Sequence, residues 1–238
     1  MLAACSSVFI TGTDTGVGKT QVAAALVRAG HGAGLRSLGM KPVASGAEFQ
    51  DGDWVYGDVK QLSAAASFAA DPDLLNPYRF RPAIAPHLAA DLAGVEIELA
   101  PLVAAHRALA VDSDWLVVEG VGGWAVPLSP TTMQADLVRA LALPVILVVG
   151  LRLGAINHAL LSADQIRADR LLLLGWIANA IEPALPLADR VRDSIADRIG
   201  APLLAELHYG ADPIAMGKRL SELPRRLIAA LRSAPPVG

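Results

Sequence analysis

Apolar residues along the chain gather in short dense runs, separated by stretches whose apolar positions recur at helical spacing. Ser7–Ile10 is β-branched and aromatic, and Leu35–Val43, Asp114–Glu119, Pro144–Gly150, Leu171–Asn179 and Pro202–Leu207 follow in the same manner. Each predicts a strand. Between them, Val22, Ala23, Leu26 and Val27 are helically spaced, an Ala-rich helical stretch runs to Ala70, and Pro86 suits the first turn of a helix reaching Ala93. A further helix opens at Gly154, and Ala211–Arg232 reads as one surface helix. Strands alternating with helices predict an α/β fold, a doubly wound, mostly parallel sheet with helices on both faces. The longest apolar runs, Leu141–Leu151 and Leu171–Ile181, suit strands buried on both faces. They are about half as long as a membrane span, so no membrane partner is expected. The 238 residues contain no repeat, low-complexity tract or obvious linker, and one domain over 1–238 is expected.

The chemistry begins at Val8–Thr20, which reads Val-Phe-Ile-Thr-Gly-Thr-Asp-Thr-Gly-Val-Gly-Lys-Thr. A strand, a glycine-rich loop, Lys-Thr and a helix make the context of a phosphate-binding loop. Phosphate oxygens must lie against backbone N–H groups, and a Cβ is often in the way, so Gly12, Gly16 and Gly18 line the turn. The following helix points its positive end at the same anion. Lys19 can reach the β and γ phosphates, and the Thr20 hydroxyl can ligate a bridging Mg²⁺. Thr13 stands where the usual spacing has its first glycine. The expected fold is therefore of the P-loop NTPase type, acting on ATP or GTP.

Other candidates stand where predicted strands end, which in an open α/β sheet is the ligand-binding edge. Lys41 precedes a Pro42–Gly46 turn, and reads either as a ligand contact or as a solvated strand end. Glu119 closes an apolar strand ahead of Gly120, Gly122 and Gly123, a position that suits direct or water-mediated Mg²⁺ binding. Asp58 is a metal candidate or an N-cap. Asn157 can cap a helix or sit at an anion site, His158 reads as an ordinary helix residue, and Asn179 either reads a nucleobase edge or begins a turn.

Charge and cysteine content narrow the classes. The net charge of −3 without a basic block argues against nucleic acid as the main partner. Hydrophobic content of 53 % implies that much of the chain is buried. Leu2-Ala3-Ala4-Cys5 has no basic or long apolar segment before it and is not expected to be a lipoprotein cleavage box. One cysteine cannot form an internal disulfide, and a cytoplasmic location is expected.

Several stretches together resemble the dethiobiotin synthetase family. They are Thr11–Thr20, Lys41-Pro-Val-Ala-Ser45-Gly, Asn76-Pro-Tyr with Pro86-His87, Glu119-Gly-Val-Gly-Gly-Trp124, Pro144–Gly150, Leu153-Gly-Ala-Ile-Asn-His158 and Gly175-Trp-Ile-Ala-Asn179. The resemblance implies a homodimer with shared sites that makes dethiobiotin from 7,8-diaminononanoate, CO₂ and ATP, with Mg²⁺, in biotin biosynthesis. It assigns Thr15, Lys19 and Lys41 to catalysis and Thr15, Gly16, Val17, Gly18, Lys19 and Thr20 to the phosphates. Thr20, Asp58 and Glu119 would hold the metal, and Asn179, Ala180, His208 and Tyr209 would face the base. Lys41, Ser45 and Gly122 would meet the carbamate end of the substrate. Leu153, Gly154 and Asn157 would take its distal carboxylate, in the family from the partner subunit. The chain departs from the family at Gly16, where many members carry an acid, and at Glu206–Tyr209, where a proline often follows the strand.

Two other readings share the phosphate loop. An amide-forming ligase of this class usually carries a glutamine-hydrolysing domain, and this chain has no nucleophile motif for one. A partition-type switch ATPase should show an extra lysine early in the loop, where Thr13, Asp14 and Thr15 stand instead.

Overall fold

The computed structural model describes residues 5–233; Leu2–Ala4 of the rejected cleavage box lie outside the described residues. In chain order the first half holds β1 (Ser6–Gly12), α1 (Lys19–Gly32), β2 (Ser37–Met40), β3 (Val43–Ser45), β4 (Glu48–Gln50), β5 (Asp53–Val55), α2 (Gly57–Ala65), α3 (Pro72–Leu75), β6 (Tyr78–Phe80), α4 (Pro86–Ala93) and α5 (Leu99–Val111). Then come β7 (Trp115–Glu119), α6 (Gln134–Leu141), β8 (Val145–Leu151), α7 (Ala155–Ala168), β9 (Leu173–Ala180), α8 (Ala188–Ala196), β10 (Leu203–Leu207), α9 (Pro213–Arg219) and α10 (Leu223–Ser233).

The six apolar runs pair into one sheet in the order β10-β9-β8-β1-β7-β2, and every pairing is parallel. Parallel strands need crossovers, and the helices supply them on both faces. Alternate residues of each strand go to opposite sides. Phe9, Leu116, Val118, Val145, Leu147 and Trp176 pack under α5, α6, α7 and α8. Val8, Ile10, Trp115, Val117, Ile146 and Ile177 pack under α1, α2, α9 and α10. Both Trp115 and Trp176 are fully buried, which is why these strands read as continuous apolar runs rather than alternating ones. Burying each such aliphatic or aromatic side chain contributes about 1.5–3 kcal/mol.

Several expected boundaries shift for local reasons. The run Leu35–Val43 does not form one strand. β2 stops at Met40, Lys41 N turns away to the Leu75 carbonyl at 2.8 Å, and Pro42 has no N–H to continue the ladder. The chain restarts as β3, paired in parallel with β6 inside the proline-rich segment that reads as a loop. A β4–β5 hairpin precedes Asp58; its Asp51-Gly52 turn has φ of 50° and 88°, the tight-turn signal of an Asp-Gly pair. The Ala-rich helix ends at Ala65, not Ala70. Ala211–Arg232 divides into α9 and α10, with Pro224 in the first turn of α10 where its missing N–H costs nothing. Helices α5, α6 and α8 are additions to the expected elements: α5 is apolar on most sides and so carries little periodicity, whereas α6 and α8 are amphipathic.

Candidate active site

The carboxyl ends of β1, β2, β7, β9 and β10 open on one cleft of about 970 Å³. Thr15, Gly16, Gly18, Lys19, Thr20, Lys41, Ser45, Asp58, Glu119, Gly122, Asn179, Ala180, His208 and Tyr209 all line it. Val17 does not; its side chain is buried against Gly150, and its carbonyl accepts from Asn179 Nδ2 at 2.9 Å. Leu153, Gly154 and Asn157 also stand off the cleft of their own chain, Leu153 with 95 % of its surface exposed.

The phosphate loop is held from both sides. Gly18 ends it at φ 89°, and a Cβ there would lie 2.1 Å from Asn179 Nδ2, so backbone and space both require glycine. The α1 helix starts at once, its first-turn N–H groups aimed where an anion would sit. Lys19, 7 % exposed, donates from Nζ to the Asp14 carbonyl at 2.8 Å. Burial, and then the charge of Lys41, pull its pKa down to about 8.

Beside the loop is a buried charge cluster. Lys41 is 2 % exposed and uses all three ammonium protons: on Asp58 Oδ2 at 2.6 Å, on Glu119 Oε1 at 2.7 Å and on the Gly120 carbonyl at 3.1 Å. Burial alone lowers its pKa, but Glu119 and Asp58 outweigh that and hold it above the ordinary lysine value. Thr20 Oγ1 lies 2.8 Å from both Asp58 Oδ1 and Glu119 Oε1, and its single proton serves one of them at a time. Burial would raise the Asp58 pKa, yet Lys41 holds it below the usual carboxylate range. Glu119 is raised, because burial outweighs the pull of Lys41.

Two carboxylates thus share one ammonium, and Glu119 Oε2 is buried without a hydrogen-bond partner. A buried carboxylate oxygen without a partner is costly, so a hard cation is what this set lacks. Among the described residues no cluster of three or more acidic, His or Cys side chains could hold a metal by itself. Thr20, Asp58 and Glu119 could hold a Mg²⁺ if phosphate and water oxygens completed its shell. Replacing Glu119 with glutamine is expected to raise the Mg²⁺ concentration for half-maximal activity by about tenfold, the scale of one lost charge-assisted contact. An unchanged Mg²⁺ titration would take Glu119 out of the ligand set.

The cleft also has apolar walls that motif reading marks only at Pro86. Ile84, Pro86, Val126 and Pro127 give one side an apolar lining, and Ala211 and Met216 do so near Tyr209. The proline-rich segment Asn76–His87 carries the only sequence signal for the first wall.

The family model described as an AAA domain matches residues 6–215. A protein of Aromatoleum aromaticum, named ATP-dependent dethiobiotin synthetase BioD, is 50 % identical over 214 residues, covering 89 % of this chain and 95 % of that protein. The chain belongs to the dethiobiotin synthetase family. Two further members of the dethiobiotin synthetase family, from two strains of Xylella fastidiosa, are 46 % identical over 218 residues, covering 90 % of this chain and 96 % of each. Solved structures extend the fold beyond the family. The MinD cell division protein of Aquifex aeolicus superposes with a TM-score of 0.54 at 15 % identity, covering 98 % of this chain and 100 % of that one. A ParA family ATPase from Chlorobium tepidum gives 0.52 at 17 % identity, covering 97 % and 95 %. Those likenesses carry the P-loop NTPase fold and nothing of the chemistry. No described helix is long and apolar enough to cross a membrane.

Proposed function

We propose that this chain makes dethiobiotin from 7,8-diaminononanoate, CO₂ and ATP in biotin biosynthesis, within one P-loop domain. One amine of the substrate adds to CO₂, forming an N–C bond and losing a proton to give a carbamate. A carbamate oxygen takes the γ-phosphoryl group and ADP leaves. The second amine attacks the carbonyl carbon of this mixed anhydride and loses a proton, phosphate departs with the C–O bond, and the cyclic urea closes. The observation that carries the reading is Lys41. Its buried ammonium bonds Glu119 and Asp58, the same two carboxylates that the phosphate-loop Thr20 contacts, and it lines one cleft with Ser45, Gly122 and Ile84–Pro86.

Each residue has a physical task. A phosphoryl donor and a carbamate are both anionic, and Lys19 and Lys41 offset that charge where they meet. The loop amides from Thr15 to Thr20 and the α1 N-terminus bind the phosphates. Mg²⁺, held by Thr20, Asp58 and Glu119, supplies charge neutralisation at the phosphates when bound. Ser45 hydrogen-bonds the carbamate end, and the apolar wall receives methylene groups. Asn179, Ala180, His208 and Tyr209 surround the base. The start of α7 takes the distal carboxylate of a substrate bound to the partner subunit, which accounts for Leu153 standing exposed off its own cleft. The working form is a homodimer, and a reducing cytoplasm suits its single cysteine.

The test is ADP release with ATP, Mg²⁺ and bicarbonate, with and without the diamine, and dethiobiotin measured by mass. One dethiobiotin per diamine-dependent ADP is the expected result. ATP hydrolysis indifferent to the diamine would leave the nucleotide site standing and discard the synthetase.

A further inference from the structure

We infer that Arg152 is a positioning residue for nucleotide binding, acting on the phosphate loop through Asp14. The inference rests on the cleft being a nucleotide site and is independent of which acceptor receives the phosphoryl group. β1 and β8 are neighbours with Gly12 opposite Val148, and Thr13 N donates to the Val148 carbonyl at 3.0 Å. The loops leaving their carboxyl ends therefore run side by side. Asp14 is where they join. Its Oδ1 accepts from Thr15 N at 2.7 Å, its carbonyl from Lys19 Nζ at 2.8 Å, and its Oδ2 from the Arg152 guanidinium at 2.5 Å. One residue thus touches a loop amide and the loop lysine, and is itself tethered from the next strand. The Arg152 carbonyl in turn accepts from Ala155 N at 3.1 Å, starting α7, so the tether is anchored in a regular element.

The electrostatics give the tether a purpose. A carboxylate in a phosphate loop repels the anion the loop exists to bind. Thr15 N–H first, and then the Arg152 guanidinium, keep the Asp14 carboxyl below its usual range, so it is ionised at neutral pH. Asp14 therefore serves the loop as a shape-holding acceptor only while a fixed cation cancels its charge. Arg152 supplies that cation. Among charged or titratable groups, Lys19 in the loop and His158 on α7 also act on Asp14 as favourable charges, His158 less than Arg152; Lys19 is the cation the phosphates engage, so Arg152 is the one that remains with Asp14. The paired side chains are 33 % and 48 % exposed, so the effect is partly screened and falls as salt rises.

A titration with a fluorescent ATP analogue and Mg²⁺, without any diamine, reads this directly. Arg152→Gln is expected to weaken binding about tenfold at low salt and by less at high salt. Arg152→Lys, which keeps the charge, should stay within about threefold of wild type. In Asp14→Asn the amide oxygen still accepts from Thr15, and the repulsive charge is gone. The double variant Asp14→Asn, Arg152→Gln should then bind within about twofold of Asp14→Asn alone. Losses that multiply in the double variant, or a salt-independent loss, would mean that Arg152 merely holds the fold. Arg152→Gln binding within twofold of wild type would equally overturn the role. A wild-type chain that binds no analogue overturns the nucleotide site as well, whereas absence of dethiobiotin with intact analogue binding leaves Arg152 where it is.

Discussion

Lys41→Ala is expected to lower turnover about 10³-fold, the scale of losing a cation aimed at charge that develops in the transition state. The effect has two separable parts. Chemically, Lys41 bonds Glu119 directly, whereas Lys19, which lines the same cleft, donates to the Asp14 carbonyl of the loop. Structurally, the substitution strands Glu119 and Asp58, whose carboxylates share the Lys41 ammonium at 2.6–2.7 Å. Breaking a buried pair on one side destabilises by about 3–5 kcal/mol, less here because Asp58 is 43 % exposed. Melting temperature and turnover should therefore both fall, and Mg²⁺, which compensates the same carboxylates, should recover stability more than activity. Turnover within tenfold of wild type would remove Lys41 from the chemistry. Mixing Lys41→Ala with Asn157→Ala subunits should recover part of the activity if sites are shared across a dimer.

Lys19→Ala should cost a similar factor, about 10³, but with a different signature. Lys19 is buried at the helix start and its charge is disfavoured there, as its lowered pKa records. The Asp14 carbonyl and the charges of Glu119, Asp58 and Asp14 offset part of that cost, and a polyanion in the loop offsets more. The variant should fold as stably as wild type, lose ATP affinity and turnover together, and leave binding of the diamine unchanged. Calorimetric titration of each ligand separates these. A variant that still binds ATP within threefold of wild type would leave Lys19 without a phosphate role.

How far the site was legible follows from which contacts are local. Val8–Thr20 holds strand, loop and helix start in one contiguous stretch, so its spacing alone marks a phosphate site. Glu119 is visible for the same reason, as an acid closing an apolar strand. Asp58 is ambiguous on pattern, since an acid at a helix start is usually a cap. The structure has no side-chain cap there and instead turns Asp58 to Lys41 and Thr20. The break after Met40 escapes a reading of apolar runs, because Val43 is as apolar as Leu38; Pro42 and the turn of Lys41 N to Leu75 end the strand, and β6 then takes up the restarted chain.

The sequence by itself determined the class of fold, the phosphate loop and, through its motifs, the family. Those are properties of short windows, where periodicity, glycine placement and chemical type act over a few residues. Tertiary structure alone decided the strand order, and with it which strand ends meet. Thr20 reaches Asp58 across 38 positions and Glu119 across 99, and Arg152 reaches Asp14 across 138. Parallel pairing runs through backbone hydrogen bonds that carry no side-chain code, so neighbours in the sheet are chosen by how all the helices pack at once.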